Sequence, residues 1–421
     1  MRKVWVALLA WAWFSAASAE TLTLEEALAT VAAPHPDRQI AESDLALARA
    51  DRDQVASTQD FRLFLDGTLA GGQGEHIGWR ANNLGRIVAR KPLFDFGRNS
   101  QATAAADQEV AARQTDLFHV QNLRRIDIMA RYFDVLLADM RYAADNEFMA
   151  VAYVSWDNAQ DRLKVGQISQ PELIKLEAEY QDSRQRREAS LQSMRSTRQR
   201  LAHAMFRPGN LPTELAEPVL KGNAQQVAEY ESLLPWVMEK NPRVQALQSQ
   251  VAAADARIAA VRAERNPMLD AEVVGADYSR ISNTRDQISA GLLFLIPLYQ
   301  GGRVDALVAR ELAQKERSTA ELEKLKLELA DALLATLQEI DWLRSSGRTA
   351  ADKQIEYRDW ALERSRAEYE LEMKTNLGTS MAETQVAALR RKQVDYQLAL
   401  ALARLEAMSG GSLPPVEGVV K

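Results

Sequence analysis

The sequence predicts a mainly α-helical protein with a small β part, and three observations lead to this fold class. Two stretches of more than 60 residues, 98–164 and 303–371, contain no proline and one glycine, Gly347, which is typical of very long helices. Segments with β-strand patterning precede each stretch. Motifs recur after 205 or 206 positions, which indicates an internal duplication.

The composition of this chain of 421 residues, 26% of them charged, is typical of long amphipathic helices. The net charge of −6 and the lack of a concentrated basic patch argue against nucleic acid as a partner. Because the sequence has no cysteine, it cannot form a disulfide, a Cys-ligated metal site, a cysteine nucleophile or a lipid-anchored cysteine.

The N-terminus, residues 1–19, has the three parts of a secretory signal peptide. Arg2 and Lys3 are charged, residues 4–14 are apolar, and the segment ends in the small residues Ala17-Ser18-Ala19. The apolar part is shorter than the roughly 20 residues of a spanning helix. We therefore expect cleavage after Ala19, which removes two basic residues and changes the net charge from −6 to about −8.

The duplication predicts two structural repeats, 20–206 and 230–409, with a connector at 207–229 and a tail at 410–421. The segment Pro92–Arg98 resembles Pro297–Arg303. Likewise Glu25–Leu28 with His35-Pro36 resembles Glu231–Leu234 with Asn241-Pro242. Several matches at nearly one offset favour duplication over chance.

Each repeat is expected to contain a short helix, a second helix of about 20 residues, a strand pair, a very long helix and a return helix. The predicted strands are 61–70, 84–94, 268–278 and 287–299, with the runs 71–74 and 279–285 parting each pair. The predicted long helices are 98–164 and 303–371, and the predicted return helices are 171–206 and 380–408. Apolar residues at spacings of three and four, such as the stripe that begins at Leu123, predict coiled-coil packing.

The predicted strands require more than one chain if they cross a membrane. Strands of about 9–11 residues can span a bilayer when tilted. Four strands cannot close a pore, and an open edge leaves backbone groups unpaired in lipid. The sequence therefore predicts that several chains associate.

The residues quoted above carry a resemblance to a known family. The chain resembles the TolC-like outer-membrane efflux and secretion channels over nearly all of its mature length. The resemblance rests on Leu24–Leu28 with His35-Pro36, on the motif at Pro92–Arg98 and Pro297–Arg303, and on a hairpin-like segment at 162–178. It implies a homotrimer with a 12-stranded transmembrane β-barrel in outer-membrane lipid and a coiled-coil α-barrel tunnel in the periplasm.

The same resemblance implies a passive exit duct in a tripartite efflux or type I secretion system. Its implied partners are a periplasmic adaptor protein and an inner-membrane transporter of the RND, MFS or ABC type. Drugs, metals and proteins all remain open as cargo, because one duct fold serves each of them.

The resemblance also implies a periplasmic gate at the hairpin ends. Tyr369 takes the place of the family's linking tyrosine, Lys374 that of its basic residue and Glu172 that of an acidic partner. We expect Tyr369 to bond Glu172 in the closed state. Glu372 stands where the family has glycine, and it is one candidate for a substitute acidic constriction.

The departures from the family pattern concern the second hairpin end. Gly378 occupies an acidic ring position of the family, so Glu383 is the other candidate for an acidic constriction. The adaptor is expected to dock at the hairpin tips, near Gly166, Leu377 and Gly378.

The strand-to-helix junctions are expected to determine the fold and not to contact cargo. Their residues are Pro92, Gly97 and Arg98 in the first repeat and Pro297, Gly302 and Arg303 in the second. Proline lacks an N–H, which is tolerable where a strand ladder ends. Glycine allows the dihedral angles of the turn that follows.

No residue pattern indicates an enzyme, a cofactor or a metal site. The histidines are scattered without ligand spacing, and no nucleophile, base and acid can be grouped. The alternatives are a periplasmic adaptor or a structural coiled-coil protein of the cell envelope. An adaptor would show one central hairpin between β-rich halves, and a structural coiled coil would lack membrane strands.

Overall fold

A computed structural model describes residues 21–74, 77–209, 214–279, 286–371 and 376–414. Helices dominate and strands form a small part, which confirms the predicted fold class. The predicted signal peptide, the loop residues 280–285 and the end of the tail lie outside the described residues.

The first half of the chain begins with two helices, continues with strands and ends with two long helices. Its elements are α1 (Leu24–Ala29), α2 (Pro36–Ala56), β1 (Arg62–Thr68), β2 (Gly71–Gly74), β3 (Ile77–Ala81), β4 (Leu84–Phe94), α3 (Arg98–Lys164) and α4 (Gln170–Ala204). Thr23 caps α1, because its side chain accepts the N–H of Glu26 while the Glu26 carboxylate accepts the N–H of Thr23. Pro36 starts α2, a position where the missing N–H costs no helical bond.

The second half has a similar order of elements, but its described residues contain no strands that correspond to β2 and β3, and its long helix is divided into α7 and α8. These are α5 (Tyr230–Lys240), α6 (Pro242–Arg262), β5 (Met268–Tyr278), β6 (Ile288–Leu295), α7 (Arg303–Trp342), α8 (Arg348–Glu370) and α9 (Leu377–Met408). Asn241 caps α6 by accepting the N–H groups of Arg243 and Val244.

The strands form an antiparallel four-stranded sheet in the order β1-β4-β5-β6. The run of glycines at 71–74, which the sequence analysis treated as a loop, is strand β2, and it pairs with β3 in a separate two-stranded sheet. Glycine is required at Gly71 of β2 because the indole of Trp79 occupies the space that a side chain would need there.

The repeats use the same strand register. Phe64 of β1 faces Val88 of β4, and Asp270 of β5 faces Leu293 of β6. Asp270 follows Phe64 by 206 positions, so β5 corresponds to β1. Leu293 follows Val88 by 205 positions, so β6 corresponds to β4. The duplication is therefore visible in the hydrogen-bonded ladder as well as in the motifs.

The chain divides into two compact units that do not coincide with the two repeats. The helical unit contains Met1–Ala33, Arg124–Gln225 and Glu339–Ala403, and the sheet unit contains Pro34–Leu123, Gln226–Gln338 and Arg404–Lys421. Each repeat contributes to both units because α3 and α7 each pass through a unit boundary.

Aromatic side chains form the core of the helical unit. Tyr132, Phe133 and Tyr396 are buried, and the rings of Phe133 and Tyr396 stack with centroids 4.4 Å apart. The Tyr132 hydroxyl lies 2.8 Å from the carbonyl oxygen of Leu22 and 2.5 Å from that of Ala216. The core thus ties the N-terminal segment and the connector to α3.

The predicted apolar stripe on α3 is only partly buried in this chain, at members such as Phe133 and Ala144. Leu123, its first member, is about half exposed, whereas Ile128, Tyr132 and Phe133 are buried. When a helix carries two apolar stripes, its tertiary neighbours determine which residues are buried. The sequence pattern alone does not predict this.

The long helix predicted at 303–371 is interrupted by one π-helical turn at Leu343–Gly347. Buried positions of α3 correspond to buried positions of the second repeat at an offset of 205 as far as Leu343, the first residue of the turn. After the turn the offset is 206. The corresponding buried pairs are Val135 with Ile340, Ala138 with Leu343, Asp145 with Ala351 and Ala159 with Ser365. The π turn therefore accommodates one extra residue and restores the buried face.

The core of the sheet unit includes a small cluster where α6 meets α7. Val244 is fully buried against Leu322, Leu325 and Leu329, whose spacing of three and four keeps them on one face of α7. Gly410 has its backbone so close to the Lys240 carbonyl that a Cβ would lie 2.5 Å from that oxygen. This approach explains glycine at that position after α9.

Candidate functional site

The sheet has one apolar and one charged face, which follows from the two-residue period of its strands. The apolar face includes Leu63 and Leu65 of β1, and Ile288, Leu292 and Phe294 of β6. These side chains are largely exposed, up to 81% for Leu65. An exposed apolar face of this extent is typical of a surface that contacts lipid or protein.

Ion pairs cross the opposite face of the sheet. Arg86 of β4 binds Asp66 of β1, with 2.8 Å from Nε to each carboxylate oxygen. Arg90 of β4 binds Glu272 of β5 at 2.5 Å. Both pairs join directly opposite residues, so they reinforce the register of the ladder.

The first strand-to-helix junction is organised by Asp95, which the sequence analysis did not single out. Its carboxylate accepts the N–H of Gly97 at 3.1 Å and that of Asn99 at 2.9 Å, and so caps α3. Gly97 has φ +89°, a conformation that an L side chain rarely adopts. Pro92 faces Asp270 next to a bulge in the β4–β5 ladder, where its missing N–H is tolerated.

The second junction repeats this geometry with different side chains. Gly302 has φ +76°, like Gly97. Gln300 occupies the position of Asp95 and donates from Nε2 to the Glu264 carbonyl at 3.1 Å. Pro297 lies two residues beyond the end of β6. The junction residues therefore have conformational roles, and their lack of contact with cargo stays a prediction.

A single carboxylate joins the two junctions. Glu264 accepts from Arg98 at 3.0 Å through one oxygen and from Arg303 at 2.5 Å through the other. Its side chain is 13% exposed, which reduces screening of both ion pairs by water. Sequence reasoning missed Glu264, although its place just before β5 and the two Gly-Arg motifs were available signals.

The predicted gate residues are only partly within the described chain. Lys374 and Glu372 lie outside the described residues. Tyr369 is exposed near the end of α8, and Glu172 lies in the first turn of α4, where its N–H is 3.4 Å from the Ser169 hydroxyl. In the described part of this single chain, no hydrogen bond joins Tyr369 to Glu172, and the link in the closed state stays a prediction.

Glu383 has a partner that the sequence analysis did not identify. Its carboxylate forms an ion pair with Arg358, which links α9 to α8, and both side chains are partly buried. The Arg358 guanidinium also lies 5.0 Å from the centre of the Tyr357 ring. A carboxylate already paired in this way is a weaker candidate for an acidic constriction than an unpaired one.

The predicted tip residues differ in their surroundings. Gly166, with φ +71°, ends α3 in a tight turn, and the N–H groups of Gly166 and Gln167 donate to carbonyls of the last helical turn. Gly378 instead packs against α3, because a Cβ on it would lie 2.5 Å from Cγ2 of Val151. Leu377 is half-buried at the start of α9.

A buried hydroxyl pair lies close to this contact along the chain. Ser365 of α8 and Ser380 of α9 are both buried, and their hydroxyl oxygens are 2.8 Å apart. With Gly378, these small residues let α9 approach both α8 and α3 closely. The tip of α9 is thus held within its own chain.

The connector is held by polar contacts from two helices. Arg344, in the π turn, donates to the carbonyl of Gln225 at 2.5 Å, and Asn223 donates to the carbonyl of Asp395 at 2.9 Å. Burial lowers the pKa of Arg344. These long-range contacts left no local signal in the sequence.

Two features are absent from the described residues. None of the described helices combines the length and apolar character needed to cross a membrane. Within the same residues, His, Asp and Glu side chains form no group of three or more that could hold a metal ion.

Comparison with known proteins relates the second half of the chain to a sequence family. Residues 233–411 match the sequence model of the outer membrane efflux protein family. This part of the chain therefore has the sequence signature of the family. The match covers the second repeat, and the resemblance to TolC-like channels drawn from the residues is confirmed. No match was found among curated protein sequences.

Solved structures share the fold over almost the whole chain. A membrane protein from Pseudomonas aeruginosa is 17% identical, with a TM-score of 0.74 over 93% of this chain and 90% of that one. The CmeC outer membrane channel of Campylobacter jejuni is 12% identical, with a TM-score of 0.74 over 93% and 86%. The outer membrane protein VceC of Vibrio cholerae is 16% identical, with a TM-score of 0.72 over 92% and 96%.

Proposed function

We propose that this chain is one protomer of a trimeric outer-membrane channel that conducts cargo passively out of the cell. The observation that carries the proposal is the four-stranded sheet, with one exposed apolar face, one charged face and two edge strands that each have a single neighbour among the described residues. An apolar face suits lipid, and a charged face suits a water-filled lumen.

Aromatic residues at both ends of the sheet support a transmembrane position. Phe61, Phe94 and Tyr299 are exposed near the helical end, and Trp79 is exposed toward the opposite end. Transmembrane barrels carry such aromatic girdles at the two interfaces of the bilayer. The length of β4 and β5, 11 residues each, also suits a tilted crossing.

Closure of a barrel requires further copies of the chain. Unpaired N–H and C=O groups on β1 and β6 could not remain in lipid without partners. Three chains with four strands each give the 12-stranded barrel that the family resemblance implies. The long helices would then form the periplasmic tunnel, with the connector in its girdle.

In this proposal the protein works with a periplasmic adaptor and an inner-membrane transporter of the RND, MFS or ABC type. The adaptor would contact the hairpin tips near Gly166 and Leu377. Gly378 packs against Val151, so its contribution to docking would be indirect, through the position of α9.

Cell fractionation followed by the detergent-corrected mass of the extracted protein tests this proposal. The expected result is an outer-membrane species of three chains that forms ion-conducting pores in planar bilayers. A water-soluble periplasmic monomer or dimer would overturn it and favour the adaptor or the structural coiled coil. An outer-membrane trimer that conducts no ions would contradict the channel function alone.

A further inference from the structure

A groove lies within the sheet unit, where α2, α3 and α6 meet. Its volume is about 630 Å³, and small-molecule sites in proteins have volumes of about 300–1,000 Å³. The residues that α2 and α3 contribute recur at spacings of three and four, so one face of each helix lines the groove. The cavity is therefore formed by the regular faces of packed helices.

Alanines form the floor of this groove. Ala48 of α2, Ala105 of α3 and Ala260 of α6 line it and are buried. Because the alanine side chain ends at Cβ, the three helices leave space that larger side chains would fill. Leu47 also lines the groove and is 62% exposed. The groove therefore offers apolar surface to a ligand.

The arginines that line the groove are neutralised within the chain. Glu109 accepts hydrogen bonds from Arg113 at 3.1 Å and from Arg257 at 3.2 Å. Arg98 is paired with Glu264 at 3.0 Å. Each guanidinium group in the lining therefore already has a carboxylate partner, which disfavours an anionic ligand.

Three further carboxylates of the lining lack such a partner. Within the described part of the chain, no hydrogen bond reaches the carboxylates of Asp44, Asp51 or Glu311. The basic group nearest to Glu311 is that of Arg310, at 3.8 Å, and it is 77% exposed, whereas the Glu311 side chain is 13% exposed. The lining has five carboxylates and three guanidinium groups, a net charge of −2. A largely buried carboxylate without a close partner favours a cation beside it.

We infer that the groove binds an amphipathic organic cation, whose apolar body lies on the alanine floor and whose charged group lies beside the unpaired carboxylates. A bare metal ion does not fit, because the described His, Asp and Glu side chains form no group of three or more that could hold one. The inference adds a binding site to the proposed channel function and does not depend on that function.

Cysteine protection tests the inference, because the chain has no cysteine of its own. The probe is tetraphenylphosphonium, an apolar cation, and tetraphenylborate is an anion of nearly the same shape. Leu47→Cys places a thiol in the groove, and Ile40→Cys is the matched control. Ile40 is 61% exposed on the same helix, about 10 Å along the axis from Leu47. The rate of labelling by N-ethylmaleimide is measured on the purified protein in detergent.

The cation is expected to protect only the thiol in the groove. Saturating tetraphenylphosphonium should slow the labelling of Leu47→Cys at least about five-fold, because a ligand in a groove is largely enclosed by it. Labelling of Ile40→Cys should not change. Tetraphenylborate at the same concentration should protect neither thiol.

Charge variants in the Leu47→Cys chain test which residues attract the cation. Glu311→Gln should raise the concentration for half-protection about tenfold, because a charge pair in a partly enclosed site is lost. Asp51→Asn changes an exposed position, so it should fold normally, and it should raise that concentration about threefold. Glu323→Gln, an exposed carboxylate on the same helix as Glu311, is the control and should have no effect.

Several outcomes would overturn the inference. These are equal protection by the two probes, protection of Ile40→Cys as strong as that of Leu47→Cys, no protection at all, or unchanged half-protection in both charge variants. None of them bears on the channel function, which the mass and the conductance of the extracted protein decide. A trimer that conducts no ions but shows the expected protection would contradict the channel and leave the binding groove intact.

Discussion

Arg98 and Arg303, equivalent residues of the two repeats, bind opposite oxygens of one carboxylate, that of Glu264. The position equivalent to Glu264 in the first repeat is Thr58, whose hydroxyl bonds the Asn99 side chain instead. The two junctions are therefore similar in backbone conformation, but the acidic residue that joins them comes from the second repeat. This asymmetry makes Glu264 the side chain that links the two junctions.

Replacement of Glu264 by Gln is expected to destabilise the sheet unit. A neutral amide cannot offset two guanidinium charges, so we expect a loss of about 1–3 kcal/mol, measured as a lower midpoint of thermal unfolding. Glu323→Gln is the matched control, because the Glu323 carboxylate is 62% exposed and pairs with Lys326 on its own helix. Its expected effect is about 0–1 kcal/mol. Equal shifts for the two variants would contradict the role of Glu264.

Substitution of Gly378 by Ala is expected to disturb the packing of α9 on α3. The new Cβ would lie 2.5 Å from Cγ2 of Val151, and overpacking of this kind costs about 1–3 kcal/mol. Val151→Ala in the same chain should recover most of the lost thermal stability by removing that methyl group. A single variant as stable as the wild type, or a double variant less stable than Gly378→Ala, would contradict the contact.

The predicted gate link is tested by conductance. If Tyr369 bonds Glu172 in the closed state, Tyr369→Phe and Glu172→Gln should each raise single-channel conductance, and the double variant should add little. Tyr357→Phe is a suitable control because Tyr357 is an exposed tyrosine on the same helix. Unchanged conductance in both single variants would show that the gate is held by other residues.

His119 is expected to make stability depend on pH. Burial, followed by the positive charge of Arg243, lowers the pKa of His119. The unfolded chain then takes up a proton at a higher pH than the folded chain, so folding is favoured above the ordinary pKa of about 6.5 and weakens as the pH falls through it. The midpoint of thermal unfolding should therefore decrease from about pH 7.5 to 5.5.

His119→Gln should reduce this decrease, since glutamine does not titrate. His203→Gln is the control, because His203 is exposed near the end of α4. All three proteins have the same carboxylates, so the comparison isolates the histidine. The same pH slope in the wild type and in His119→Gln would contradict the prediction.

Much of the fold could be predicted because its signals are local. Absence of proline over 67 residues allows α3 to run unbroken, and alternation of apolar residues marks β6 as a strand. Pro36 and Pro242 mark helix starts for the same local reason. The duplicated Pro-Leu motif fixed the equivalence of the repeats, and the order of elements then carried the resemblance to the efflux family.

The candidate site was only partly predictable, because its contacts join distant positions. Glu264 and Arg98 are 166 residues apart, and Gly378 and Val151 are 227 apart. The periodicity of apolar residues along a helix or strand does not predict contacts between residues so far apart in the sequence. Gly378 was predicted as a docking tip from its place in a hairpin, whereas its contact with α3 depends on the packing of three helices.

The sequence by itself determined most of the helices and strands and the correspondence between the two halves of the chain. Tertiary structure decided which apolar stripe of α3 is buried, how a one-residue excess is absorbed in a π turn, and which carboxylate binds both junction arginines. The physical reason is the distance along the sequence over which each kind of interaction acts. Backbone preference and periodicity act within a few residues, whereas burial and ion pairing depend on which distant segments the fold brings together.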